Sequence, residues 1–147
     1  MDSQTLEILG RNWLVNRLLE DGLEVARPER DHGVDLVAYV DVAEAGHFIA
    51  RPIQLKAASG ASFTIDRKFD HIDYLLIAYI WLGEESAFAL TYPEAVQIGM
   101  TMGYTATASW LTRGLYTSTR PSQKLRFHLE PYRMNAGDWW RRVTDTG

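Results

Sequence analysis

The sequence contains no cysteine, which excludes disulfide bonds and thiolate metal sites within the chain. No window of about 20 residues is apolar enough for a membrane span. The four histidines lack the spacing of a zinc site, so oxygen ligands are the metal chemistry that the chain offers. The first residues also lack the basic start and apolar stretch of a secretory signal. We therefore expect a cytoplasmic protein.

Positive charge is scarce in the first two thirds of the chain, and the net charge is -4. Residues 1–100 carry eight lysines and arginines against sixteen aspartates and glutamates, whereas residues 101–147 carry seven against three. A basic C-terminal third can contact phosphates while an acidic remainder holds a metal ion. A chance imbalance of charge explains the same numbers.

A chain of 147 residues has the length of one domain. Its patterns alternate between helix and strand periodicity, which predicts an α/β fold with a central mixed sheet flanked by helices. The predicted helices cover residues 3–21, with Ser3 as the N-cap, a helix opening at Pro93, and a terminal helix capped by Asn135. The predicted strands are 23–27, 34–42, 48–57, 63–65, 72–81, 87–91 and 124–129, with a hairpin turn at 41–46 and a loop or ribbon at 104–121.

The two strands 34–42 and 48–57 organise the rest of the chain. Asp35 lies in the apolar run G-V-D-L-V-A, where a buried lone carboxylate is costly unless it is paired or binds a cation. An aspartate bonded to backbone amides at a loop end is the alternative. Gln54 and Lys56 are two residues apart, so their side chains share one face. Pro52 predicts an edge or a bulge at the start of the second strand.

Glu7 lies in line with the apolar stripe of the first helix, where a carboxylate needs a partner; a favourable position in the helix dipole is the alternative. With Asp35, Gln54 and the carbonyl of Leu55 it forms a set of hard oxygen ligands suited to Mg²⁺ or Mn²⁺. Lys56 can orient a water or offset phosphate charge. The plainer interpretation makes Lys56 a solvated edge lysine and Gln54 an ordinary polar strand residue.

In these residues the sequence resembles the PD-(D/E)xK, or restriction-endonuclease-like, nuclease superfamily. It is most similar to the branches related to Mrr-type restriction nucleases and archaeal Holliday-junction resolvases. The match is a helix with Glu7, then G-V-D-L-V-A with Asp35, then I-Q-L-K with Gln54 and Lys56. It covers about residues 3–81 and implies an α-β-β-β-α-β core.

The resemblance implies a catalytic role for four residues. Asp35 is the metal-binding acid, Lys56 the motif lysine, Glu7 the acid from the first helix, and Gln54 fills the position that usually holds Glu or Asp. Two features depart from the usual motif, because Val34 replaces proline and Gln54 replaces the second acid. A neutral glutamine removes one negative charge, so weaker metal binding or a larger role for Glu7 is expected.

Basic and aromatic residues late in the chain form a second candidate surface. Four cations can contact the phosphates of a nucleic acid: Arg113, Arg120, Lys124 and Arg126. Trp110, Tyr116, Trp139 and Trp140 can stack on unpaired bases. The alternative is that the tryptophan rings cover the core or form a homodimer interface.

The sequence therefore predicts a metal-dependent nuclease that cuts phosphodiester bonds in DNA, with Mg²⁺ or Mn²⁺ as cofactor. Residues 3–91 form the expected core and 92–147 a C-terminal extension of the same domain. The alternative is a catalytically inactive module of the nuclease fold that binds nucleic acid or a protein partner.

Overall fold

The backbone forms a five-stranded mixed sheet covered by helices on both faces. The computed structural model describes residues 1–42 and 47–145. Its helices are α1 (Ser3–Glu20), α2 (Tyr92–Thr101), α3 (Ala108–Arg113), α4 (Gln123–Leu129) and α5 (Asp138–Thr144). Its strands are β1 (Glu24–Ala26), β2 (Leu36–Val42), β3 (His47–Ala58), β4 (Phe63–Asp66), β5 (Leu76–Trp81), β6 (Ser86–Thr91) and β7 (Leu115–Ser118).

The strand order in the sheet is β1-β2-β3-β5-β6. Only the β3–β5 pair is parallel, and the other three pairs are antiparallel. The predicted mixed sheet flanked by helices is confirmed. One detail differs, because the expected helix between the third and fourth strands of the sheet is replaced by β4 and a 3-10 turn at Arg67–Phe69. Strands β4 and β7 form a separate two-stranded ribbon.

Strand β5 is buried along its whole length, as its continuous apolar run predicts. One face of the sheet packs against α1 and α5, whose buried residues include Leu14 and Trp139. The other face packs against α2, α4 and the ribbon, with Ile98, Leu125 and Phe63 in the core. The C-terminal helices therefore complete the core on both sides of the sheet.

Pro52 lies where β3 has a neighbour on one side. It pairs with Val37 of β2, and the pairing of β3 with β5 begins only at Ile53. A proline has no N–H to donate, so it is tolerated where one edge of a strand is unpaired. The predicted edge position therefore holds only for the start of β3. Further along, β3 has a neighbouring strand on both sides.

The N-cap of helix α1 is Asp2, one residue before the predicted Ser3. The Asp2 side chain, not that of Ser3, caps the helix by accepting a hydrogen bond of 2.8 Å from the Thr5 N–H. At the other end Gly22 has a φ of 88°, which suits a glycine after a helix. None of the helices in the described part of the chain has the length and hydropathy of a membrane span.

Two expectations for the C-terminal third were wrong, and a third, the loop or ribbon at 104–121, was right for its ribbon strand and missed a helix. Residues 124–129 lie in α4 and not in a strand. The region 104–121 contains α3 and β7, so that it is a ribbon strand preceded by a helix. The terminal helix begins at Asp138 after Gly137, not at a cap by Asn135. Residues 43–46 of the predicted hairpin turn lie outside the described residues.

Candidate functional site

The five residues predicted to form the metal and catalytic site line one cavity of about 380 Å³. Glu7 comes from the first turns of α1, Asp35 immediately precedes β2, and Gln54, Leu55 and Lys56 are consecutive in β3. Their convergence follows from the register, because Leu36 pairs with Ile53 and brings the start of β2 beside the middle of β3. The structure therefore brings the five predicted residues together, and their roles stay predictions.

Asp35 is held by backbone groups of β3. Its N–H donates to the Ile53 carbonyl over 2.8 Å, and its Oδ2 accepts from the Leu55 N–H over 2.7 Å. Burial is the main cause that raises the pKa of the Asp35 carboxyl, and the negative charges of Asp31 and Glu7 add to it. The bond from Leu55 opposes this rise without cancelling it. A cation in the cavity would relieve the same unfavourable charge.

Gln54 carries a buried acceptor without a partner. Its Oε1 has no hydrogen bond within the described part of the chain, while its Nε2 donates to the Leu55 carbonyl over 3.4 Å. An unsatisfied buried polar atom typically costs about 1–3 kcal/mol. The arrangement therefore favours a bound group, a cation or a water, against this oxygen.

Lys56 is a partly buried cation beside these acids. Burial is the main cause that lowers its pKa, and repulsion by Lys68 adds to it, whereas Asp66, Asp35 and Asp31 oppose the shift. Its Nζ lies 5.1 Å from the centroid of the Phe69 ring. The Lys56 ammonium therefore lies at the cavity wall. The alternative of a solvated edge lysine required it to lie in bulk solvent.

Glu7 reaches the cavity because α1 lies very close to β3. Gly10, one turn further along α1, is buried, and a Cβ built on it would lie 2.6 Å from the Cβ of Ala57. Only a glycine permits this approach without a shift of the helix. Glu7 itself is exposed, and its charge contributes to the raised pKa of Asp35.

The donor set fits a hard cation that keeps several of its waters. It consists of the Asp35 and Glu7 carboxylates, the Gln54 Oε1 and the Leu55 carbonyl, which are the ligands that Mg²⁺ and Mn²⁺ prefer. Among residues 1–42 and 47–145, no three side chains of His, Cys, Asp or Glu are grouped to hold a metal ion. The candidate site would therefore have to complete its ligand set with the amide and carbonyl oxygens and with waters.

Sequence reasoning missed three charged residues around the site. Asp31 lines the main cavity and two adjoining ones, and its Oδ1 accepts from the Gly33 N–H over 3.1 Å. Arg11 and Arg27 line the smaller adjoining cavity. The D-H-G turn was a sequence signal for Asp31. The arginines gave no such signal, because they meet only through packing.

The predicted nucleic-acid surface divides into free and paired cations. Arg113, Arg120 and Lys124 are exposed, and none has an ion-pair partner in the described ranges. Arg126 instead forms a two-pronged ion pair with Glu84, both bonds being 2.8 Å. None of the four residues lines the main cavity. Contact with nucleic acid stays a prediction for all four, and the ion pair with Glu84 makes it less favourable for Arg126 than for the three free cations.

The aromatic part of that surface is largely core. The Trp110 and Trp139 side chains are buried, and the Tyr116 ring stacks on the Tyr104 ring with centroids 4.1 Å apart. Stacking of Trp110 and Trp139 on bases was therefore a wrong expectation, and the alternative of core packing holds for both. Trp140 is the exposed one. A homodimer through this region stays a prediction.

Comparisons with known proteins give a fold and no family. No family model matches the chain, and no curated protein matches its sequence. The chain shares the fold of a homing endonuclease. It superposes on the solved structure of the bacterial homing endonuclease I-Ssp6803I with a TM-score of 0.52, over 97% of this chain and 91% of that one, at 15% identity. The comparison shows a shared fold alone, so nuclease activity and the PD-(D/E)xK assignment stay predictions.

Proposed function

We propose that the chain is a metal-dependent nuclease that hydrolyses phosphodiester bonds in DNA. The observation that carries the proposal is the unpartnered Gln54 Oε1 in the cavity that also holds Asp35 and Lys56. If Asp35, Gln54 and Lys56 served only to stabilise the fold, we would expect them to pair with one another and the Gln54 Oε1 to have a partner. The shared fold with a homing endonuclease supports the same conclusion at the level of the scaffold.

Asp35, the Gln54 Oε1, the Leu55 carbonyl and Glu7 are the groups that would hold Mg²⁺ or Mn²⁺. When bound, such an ion stabilises the charge that develops on the phosphate oxygens. Asp35 is already oriented by the Leu55 N–H, so little rearrangement is needed to present its other oxygen. The neutral Gln54 gives the site one charge less than a second carboxylate would, and weaker metal binding follows.

Lys56 acts on the water and the phosphate. Its Nζ can donate hydrogen bonds to the attacking water and to a phosphate oxygen. The water oxygen forms the new bond to phosphorus and releases a proton to solvent. The bond to the leaving sugar oxygen breaks, and solvent supplies the proton that this oxygen takes up. The lowered pKa of Lys56, which burial causes, also makes proton exchange easier than for a solvated lysine.

The test combines metal binding with cleavage. Titration calorimetry with Mn²⁺ should detect binding to the wild type and none to Asp35→Asn. DNA of high sequence complexity, both duplex and single-stranded, should be cut in Mg²⁺ by the wild type and by Arg17→Gln, which changes α1 away from the cavity. Lys56→Met should bind Mn²⁺ and lose cleavage.

Two results would contradict the proposal. Equal Mn²⁺ affinity in wild type and Asp35→Asn would place the metal elsewhere. A wild type that binds DNA but neither binds Mn²⁺ nor cuts would favour the alternative, an inactive module of the same fold.

A further inference from the structure

Two smaller cavities adjoin the main one at its acidic centre. One has a volume of about 350 Å³ and shares Gln54 and Asp31 with the main cavity. The other has about 90 Å³ and shares Asp35 and Asp31. The candidate metal site therefore adjoins two recesses, one next to Gln54 and one next to Asp35.

Two arginines line the recess next to Asp35. Arg11 is half-buried on α1, and Arg27 is exposed just after β1. Neither has a hydrogen bond or ion pair with the residues that the structure describes, although carboxylates line the same recess. The planar guanidinium matches two phosphate oxygens at once, so an unpaired pair of arginines favours a phosphate ligand.

Lys68 and two histidines line the recess next to Gln54. The Lys68 Nζ lies 3.6 Å from the Asp66 Oδ2, and the His71 Nδ1 lies 3.7 Å from the Asp70 Oδ1. The His71–Asp70 pair is largely exposed, and in the other pair the Lys68 side chain is exposed while Asp66 is mostly buried. An exposed pair contributes less than about 1 kcal/mol. Transfer of the His71 contact from Asp70 to a phosphate oxygen therefore costs little. The exposed Lys68 ammonium can also turn to a phosphate, because Asp66 keeps its 3.1 Å bond from the Lys68 N–H.

We propose that each recess holds a phosphate of the strand that is cut, with Arg11 and Arg27 in one recess and Lys68 and His71 in the other. The proposal rests on the proposed function and deepens it. Acids occupy the centre, where the scissile phosphate needs a cation to approach, while the chain supplies its own cations to both neighbours. The substrate is then a continuous polynucleotide, cut at an internal bond.

The test measures binding of a short mixed-sequence DNA duplex by fluorescence anisotropy over a series of salt concentrations. The binding assay contains Ca²⁺ in place of Mg²⁺, because both ions take oxygen ligands. Arg27→Gln and Lys68→Gln should each weaken binding roughly tenfold and lower the salt slope by about one, and the double variant by about two. Arg17→Gln removes the same charge outside all three cavities and should behave as the wild type.

Wild-type affinity and slope in Arg27→Gln and Lys68→Gln would overturn the proposal, and so would a change in only one of them. A second assay uses closed circular DNA in Mg²⁺, which the wild type should nick or linearise. Cleavage only from the ends of linear DNA would overturn the internal cut and leave the nuclease function standing. Binding through Arg27 and Lys68 without any cleavage would support the two phosphate recesses and overturn hydrolysis. A chain that binds no DNA overturns both.

Discussion

The backbone N–H of Leu55 donates to the Asp35 carboxylate over 2.7 Å and joins the start of β2 to the middle of β3. The bond occupies one carboxylate oxygen, and the described residues offer the other no hydrogen bond. It also places Asp35 beside Gln54 and Lys56, which both lie on the neighbouring strand β3. The geometry of the candidate site thus depends on the register of one strand pair, in which Leu36 lies opposite Ile53.

Asp35→Asn should make the metal-free protein more stable at neutral pH. The pKa of Asp35 is raised, mainly by burial, so its ionised form destabilises the folded chain. Below the ordinary carboxyl pKa of 3.8 the wild type and the variant should be equally stable. The difference should grow as pH rises through the raised pKa and stay constant above it. Thermal unfolding in EDTA at pH 3.5 to 8 measures this.

The same variant should lose its advantage when a metal is added. Mn²⁺ should raise the Tm of the wild type, because a ligand that binds only the folded state stabilises it, and should leave Asp35→Asn unchanged. Asp73→Asn, on an exposed loop away from the main cavity, is the matched control. A wild type that is more stable than Asp35→Asn in EDTA at pH 8 would show that Asp35 is satisfied by the protein alone.

Gly10→Ala should destabilise the protein and weaken metal binding together. Alanine normally stabilises a helix interior by about 0.5–1 kcal/mol relative to glycine, but the new Cβ would meet the Ala57 Cβ at 2.6 Å. The helix must then move away from β3 and carry Glu7 with it. A loss of about 1–3 kcal/mol is typical of overpacking, and chemical denaturation measures it.

The double variant Gly10→Ala with Ala57→Gly tests the cause. Removing the Ala57 Cβ relieves the contact, so the pair should recover most of the stability and the Mn²⁺ affinity. Recovery of stability without recovery of metal binding would show that Glu7 does not depend on this contact.

The core of the site was predictable because its information is local. The run G-V-D-L-V-A and the pair Gln54 and Lys56 need only strand periodicity to place their side chains. Asp31 was missed although its D-H-G turn marked it, whereas Arg11 and Arg27 join the site only through the packing of α1 and of the segment after β1. Tertiary packing of this kind leaves no regular spacing in the sequence.

Helix α4 shows how a short alternating pattern can mislead. Leu125, Phe127 and Leu129 alternate as a strand would, but Phe127 is 75% exposed while Leu125 and Leu129 are buried. The two leucines are four residues apart, which is the helical spacing. Ser122 caps the helix by accepting a hydrogen bond from the Leu125 N–H. Capping and the i, i+4 pair outweighed the alternation over only six residues.

Arg126 and Arg120 should differ in their effect on DNA binding. Arg126 is held by Glu84 and lies over the Trp81 ring, so Arg126→Gln should cost less than about 1 kcal/mol of stability and leave the salt slope of binding unchanged. If the predicted surface is correct, Arg120→Gln should keep the Tm and lower that slope by about one. Equal slopes in wild type and Arg120→Gln would remove Arg120 from the interface.

Gln54→Glu should lower the stability of the metal-free protein and raise its affinity for Mn²⁺. In EDTA the new carboxylate would lie near Asp35, so the Tm should fall at pH 8 and recover towards pH 4 as the carboxyl groups become protonated. With Mn²⁺ the added charge faces the ion, and the affinity should rise about tenfold or more, because a charged ligand gains at least about 1.4 kcal/mol over a neutral one in a partly buried site.

Gln54→Leu separates the two effects: it removes the unpartnered acceptor, so it should stabilise the metal-free protein and lower the Mn²⁺ affinity. Titration calorimetry and thermal unfolding on the three proteins give both quantities. If Gln54→Glu bound Mn²⁺ no better than the wild type, the Gln54 oxygen would not face the ion, and a metal site centred on Asp35 and Glu7 alone would replace the one proposed.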